Sequence, residues 1–227
     1  MPSHFLKEVD TLKKKVLHLT ALVEENLQSA VAAVTDHDTE LADQVIAKDI
    51  EIDQLEVDLE EDCLKVLALH QPVAIDLRFV IATLKINNDL ERIGDLAVNI
   101  AERIHRLAAV SLRDIDFDLP RMLELTMAMV KDSADALVEM DPDLARRVCR
   151  DDDQIDDLEH EARRTTEQKI QQNPEMAGHL ISLLGISRDL ERIADHATNI
   201  AEDVIYMVDG EIVRHRHGAN DPDADRG

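Results

Sequence analysis

Residues 86–102 read INNDLERIGDLAVNIAE, and residues 186–202 read ISRDLERIADHATNIAE. Twelve of the seventeen positions are identical, at an offset of 100 residues. In the first copy Ile86, Leu90, Ile93, Ala97, Ile100, Ile104 and Leu107 advance by alternating steps of four and three. Ile186, Leu190, Ile193, Ala197, Ile200, Val204 and Met207 repeat those steps. Such spacing is the apolar heptad seam of a long helix. A seam that recurs in register predicts a chain built from two copies of one unit.

Weaker echoes extend the repeat. Ile52–Glu56 (IDQLE) matches Ile155–Glu159 (IDDLE), Leu41-Ala42 matches Leu144-Ala145, and Gln71-Pro72 answers Asn173-Pro174. Prolines 72, 120, 142 and 174 fall between helical patterns, and Asp141-Pro142 suits an N-cap followed by proline at the first helical position. Six helices are predicted near 4–34, 38–69, 73–108, 119–139, 142–171 and 174–208. Helices of about 30 residues reach ~45 Å, and short connections make neighbours antiparallel. The expected fold is all-α, a tandem repeat of two antiparallel three-helix bundles made of six long helices. The first unit would occupy 1–109 and the second 119–215, joined by a link at 110–118 and followed by a polar, frayed tail at 216–227.

Composition agrees with that class. Hydrophobic residues make up 44% of the 227 positions, enough for a sizeable core, while aromatics make up 2%. The formal net charge of −24 argues against a nucleic-acid partner, since no basic stripe is available to displace counterions from phosphates. It equally disfavours bare anionic lipid and favours cations or a basic protein surface. Cys63 and Cys149 stand at non-equivalent places in the repeat and form no zinc spacing. They read as reduced thiols of a cytosolic protein. The start, MPSHFLKEVDTLKKK, has no apolar core of a signal peptide, and no stretch approaches the ~20 apolar residues of a membrane span. Motifs of serine hydrolases, P-loops, dinucleotide folds and zinc proteases are missing from the sequence.

The apolar seam does not account for the polar residues that repeat with it. Glu91, Asp95, Asn99 and Glu102 recur as Glu191, Asp195, Asn199 and Glu202, one stripe per helix beside the seam. Like charges four residues apart cost a few tenths of a kcal/mol in a helix. The second helix of each unit carries a matching pair, Asp49 with Asp53 and Asp152 with Asp156. If the pairs face one another, each unit gathers four carboxylates able to hold Mg²⁺, Mn²⁺, Fe or Zn²⁺. Such sites belong on the surface rather than in a ferritin-like core, because the Glu102-x-x-His105 pattern has no second copy. His160 and His196 could add a nitrogen ligand in the second unit alone. Two other readings stay open: ion pairs between helices through Arg92 and Arg192, and plain solvated faces.

The stretch QPVAIDLRFVIATLKINNDLERIGDLAVNIAE (71–102) resembles the signature of the PhoU family, and ISRDLERIADHATNIAEDVIYMVDGEIVRH (186–215) resembles that family's closing motif. The resemblance runs from about Phe5 to His215. It implies that the [D/E]xxxD pairs are metal-binding motifs, here Asp49, Asp53, Glu91, Asp95, Asp152, Asp156, Glu191 and Asp195. Asn99, Glu102, Asn199 and Glu202 extend the set through the stripe. It further implies a cytoplasmic, non-enzymatic regulator at the inner membrane. Such a protein would bind the ATPase subunit of a phosphate ABC transporter and a phosphate-sensing histidine kinase, form a homodimer, and repress the starvation response and phosphate uptake. The competing expectation from the same carboxylates is a metal-dependent enzyme or a metal store.

Overall fold

The structure, a computed structural model, describes residues 3–107 and 117–213. Six α-helices account for nearly all of them: α1 (Ser3–Asp36), α2 (Thr39–His70), α3 (Ile75–Leu107), α4 (Leu119–Glu139), α5 (Pro142–Gln172) and α6 (Ala177–Asp209). The helices pack as two antiparallel three-helix bundles, α1–α3 and α4–α6, as the repeat predicts. Most of the expected link, and the whole expected tail, lie outside the described residues. Phe117 and Asp118, at the end of that link, are described: Phe117 is buried, and Asp118 accepts a hydrogen bond from Arg121 N to cap α4.

The repeat extends into the turns. Asp38 caps α2 by accepting from the amides of Glu40 and Leu41, both at 3.0 Å. Asp141, 103 residues on, caps α5 by accepting from Asp143 and Leu144 at 2.8 and 3.1 Å. Each satisfies amides that the first helical turn leaves without a carbonyl. The residue before each cap, His37 or Met140, sits in the left-handed region at φ 55° or 54°. Two starts differ from the sequence reading. α3 begins at Ile75 rather than 73, because Ala74 sits in the left-handed region at φ 51°; Gln71, restricted by Pro72, ends α2 at φ 45°. α6 begins at Ala177, preceded by a single 3₁₀ turn over Pro174–Met176.

The two bundles share one core. Both apolar seams are fully buried, from Ile86 to Leu107 on α3 and from Ile186 to Met207 on α6. α3 and α6 run antiparallel against each other at the centre, and each also packs on the other two helices of its own bundle. Charged pairs lock this junction. Lys85 Nζ lies 2.8 Å from Asp203 Oδ1, and Arg103 Nε donates to Asp189 Oδ2 at 2.9 Å. His196 Nδ1 and Asn199 Nδ2 both meet Asp89 Oδ1, at 2.8 and 3.2 Å. Cys63 and Cys149 are buried free thiols, each pushed up to about 12 chiefly by burial.

Candidate functional site

The acidic stripes lie where neighbouring helices meet, α2 beside α3 and α5 beside α6. On α2, Asp49 faces Gly94 of α3. A Cβ built on Gly94 would stand 3.0 Å from Asp49 Oδ1 and 3.3 Å from Ile52 Cγ2. The missing side chain lets the carboxyl settle against the α3 backbone. Asp49 Oδ1 is buried there without a hydrogen bond. Burial, then the nearby Asp53 and Asp95 carboxylates, push the Asp49 pKa up to about 6. Glu91 is raised by burial and by Asp95, with Arg92 opposing and Glu56 and Asp53 adding smaller effects. Its Oε2 is buried, 3.4 Å from Arg92 Nε.

The second bundle repeats the arrangement. Burial, then Asp195 and Asp156, push Asp152 up to about 6. Glu191 is raised by burial, then by Asp195, Asp156, Glu159 and Asp152. Asp156 is raised chiefly by burial with His160 opposing it. Asp195 is raised by burial and Asp156, against His196 and Arg192. In each unit, carboxylates on one helix therefore raise the pKa of a carboxyl on the other. Six of the eight are half-buried; Asp53 is exposed, and Asp195 keeps exposed atoms although its surroundings partly desolvate the carboxylate. The furrow between the two helices of each pair thus holds four carboxylates, most of them partly sheltered. Among the described residues no group of three or more His, Cys, Asp or Glu side chains stands ready as a ligand set. A cation held there would therefore have to draw the carboxylates together.

The alternative reading, arginine ion pairs between helices, is not met at Arg92. Its partners, Glu91 and Asp95 at 3.4 and 3.2 Å, are on its own helix. The extended stripe divides. Asn99 is half-buried and Glu102 exposed. Asn199 is engaged by Asp89 at the bundle junction. Glu202 is buried and lines a cavity of about 120 Å³ with Lys85, Asp203 and Tyr206. Of the two candidate histidines, His196 also binds Asp89, while His160 is exposed beside Asp156 and opposes the rise in its pKa. His105 pairs with Asp43 at 3.1 Å.

Two groove residues escaped the spacing argument. Glu56, raised chiefly by burial, accepts from Asn87 Nδ2 at 3.1 Å. Its copy Glu159 is buried and gripped at both oxygens by Arg163 Nη2, each at 3.0 Å. Both end the IDQLE and IDDLE echo, three residues past Asp53 and Asp156, and therefore on the same face. Gly94 was the other missed element, visible only as the one glycine in a repeat whose second copy has Ala194.

The fold and its grooves define a class: a duplicated, acidic, all-helical protein with a pair of carboxylate-lined grooves. The PhoU domain model matches residues 16–104 and 119–204, one match per bundle. The phosphate-specific transport system accessory protein PhoU homolog 1 of Thermotoga maritima is 37% identical over 209 residues, covering 92% of this chain and 90% of that protein. The crystal structure of PhoU from Pseudomonas aeruginosa superposes with a TM-score of 0.88 at 36% identity, over 91% of this chain and all of that one. The phosphate transport system regulatory protein PhoU from Streptococcus pneumoniae gives a TM-score of 0.80 at 30% identity, over 92% and 99%. The chain belongs to the PhoU family, the accessory and regulatory proteins of phosphate transport. No helix among the described residues is long and apolar enough to cross a membrane.

Proposed function

We propose that this protein is a non-enzymatic adaptor between the ATPase subunit of a phosphate ABC transporter and a phosphate-sensing histidine kinase. It restrains phosphate uptake and represses the starvation response when phosphate is plentiful. On this reading it is cytoplasmic, acts as a homodimer and reaches the inner membrane through its partners. Family membership along both bundles supports the role. The observation that carries the mechanism is the pair of half-buried carboxylate grooves, each spanning two helices.

The donors fit a hard or borderline cation: Asp49, Asp53, Glu91 and Asp95 in one groove, and Asp152, Asp156, Glu191 and Asp195 in the other. Fe, Zn, Mn and Mg all suit such oxygens. The bound cation supplies positive charge that offsets the carboxylate repulsion. Asp49, with its buried, unbonded Oδ1 on α2, and Glu91 and Asp95 on α3 would hold such a cation between the two helices. The second groove would do the same between α5 and α6. A cation held by these residues would stabilise the folded state by mass action.

Deletion in the host tests the role: starvation genes should be derepressed at high phosphate, and unchanged expression would count heavily against it. Pull-downs with the transporter ATPase and the kinase, with and without chelator, test the adaptor and its metal. Redox or hydrolytic turnover that Asp95→Ala abolishes would instead favour a metal-dependent enzyme.

A further inference from the structure

We propose that the outer face of α2 docks an amphipathic helix of a partner protein, one with aliphatic residues at heptad spacing and lysines or arginines along its flanks. Ile50, Val57 and Leu64 are seven residues apart and 74%, 46% and 52% exposed. Between and beyond them, Ala47, Gln54, Glu61 and Ala68 complete the alternating three-and-four spacing, and all four are exposed. From Ile50 to Leu64 the stripe runs about 21 Å along the helix. α2 therefore has apolar residues on two faces, and it is the least amphipathic of the six helices. Its inner face, through Ile52, Leu59 and Val66, serves the core. The outer one serves nothing within the described residues.

The second bundle provides the internal control. The copies of Ile50, Val57 and Leu64 on α5 are Asp153, His160 and Glu167, and those of Gln54 and Glu61 are Asp157 and Arg164. A duplicated helix facing water needs no aliphatic stripe, and α5 has none. A heptad of aliphatics kept on one copy alone is the surface a partner helix packs against.

Charge selects the occupant. Glu51, Asp53, Asp58 and Glu60 flank the stripe and Glu61 lies within it, against two lysines. Both lysines are already paired, Lys48 with Glu51 at 3.0 Å and Lys65 with Asp62 and Glu61 at 3.3 and 3.5 Å. A second copy pairing antiparallel about Val57 would set Asp53 opposite Glu61. A parallel pairing would set each acid opposite itself. A helix with basic flanks meets both demands, aliphatic contact and opposite charge. The chain itself offers no such helix outside the described residues: 214–227 reads RHRHGANDPDADRG, with alanines as its apolar residues, and 108–116 has nine residues for a stripe of fifteen.

The probe is a fluorescein-labelled four-heptad synthetic helix with leucine at a and d and lysine at e and g, titrated with the full chain at physiological salt and read by anisotropy. A version with glutamate at e and g is the control. The wild type should bind the lysine-flanked helix and not the glutamate-flanked one. Val57→Asp and, separately, Leu64→Asp should weaken binding at least tenfold although each adds a negative charge, while Glu167→Ala on α5 leaves it unchanged. Equal or tighter binding by both aspartate variants would reduce the effect to overall charge and overturn the proposal. So would light scattering that finds a wild-type dimer split by Val57→Asp, since the stripe would then be covered by a second copy. Both substituted positions are exposed, and an unchanged melting curve for either variant establishes that the fold is intact.

Discussion

The two carboxylate grooves are copies with different neighbours. In the first, Gly94 lets Asp49 sit against α3, and Glu56 is held by the neutral side chain of Asn87. In the second, Ala194 replaces the glycine, and Glu159 is neutralised by Arg163 with Arg188 at 3.7 Å. The junction between the bundles shows the same divergence. Lys85 binds Asp203, but their copies are Gly185 and Arg103, so the cation has moved to the other end of the pair. Arg103 then occupies the space that Gly185 leaves empty and binds Asp189. Duplication kept the eight carboxylates in place while the charges around them were rearranged. The two halves should therefore respond differently to equivalent changes.

The largest difference is expected at the junction. Asp189 is buried, and burial raises its pKa against the pull of Arg103. Arg103→Ala leaves that carboxyl buried without its cation and should cost about 3 kcal/mol of stability, read as a shift in the urea midpoint. Gly185→Ala places a Cβ where Arg103 Nη1 lies 2.4 Å away. The guanidinium is the far end of a flexible side chain and can shift, so the cost should be smaller, about 1 kcal/mol. Lys85→Gly, which copies Gly185 into the other half, tests the comparison directly. Equal losses from all three would mean that the junction retains its twofold symmetry despite the rearranged charges.

The grooves come next. In the folded protein Asp49 and Asp152 hold their protons up to about pH 6, above the ordinary carboxylate value of 3.8. Between those values the folded state binds more protons than the unfolded one, so stability falls as pH rises through that window. Metal-free protein should melt at a higher temperature at pH 5 than at pH 7. Asp62 works in the opposite sense, because Lys15 holds its carboxyl below 3.8, and its contribution is lost only at lower pH. A saturating cation should abolish the rise on acidification, since bound metal favours the ionised form. Asp49→Asn and Asp152→Asn should each stabilise the metal-free protein at pH 7 by about 1 kcal/mol and shrink the metal-induced rise in Tm. Melting curves independent of pH and of added Mn²⁺ would remove the grooves from the mechanism.

Much of this was legible in the residues, and the limits have physical causes. The seams at 86–107 and 186–207 fixed two long helices because heptad spacing has one structural meaning. Asp141-Pro142 fixed the start of α5 because capping is local. The packing of α3 on α6 was not legible. A seam shows that a helix is covered and leaves open whether its own bundle or the other one covers it. The depth of the carboxylate stripes was hidden for a related reason: the spacing sets Asp49 off the seam, and only the close approach at Gly94 buries it. His196 looked like a ligand beside Asp195, yet the side chain is used across the junction, by Asp89, 107 residues away in sequence.

The smallest expected effect sits in the repeated turn. His37 and Met140 hold the same left-handed conformation, at φ 55° and 54°. An L side chain there costs about 1 kcal/mol, which glycine avoids while losing more entropy on folding. His37→Gly should therefore stabilise by about 0.5 kcal/mol, visible as a small rise in Tm. Met140→Gly should gain less or lose outright, because Met140 lines an apolar groove with Leu17, Phe79, Leu137 and Val138, where α1 and α3 approach the end of α4. Removing the thioether exposes those neighbours, and lost packing offsets the relieved backbone. Equal gains at both turns would mean that the groove contributes nothing to the bundle junction, and that the two copies of this turn have stayed equivalent where the grooves have not.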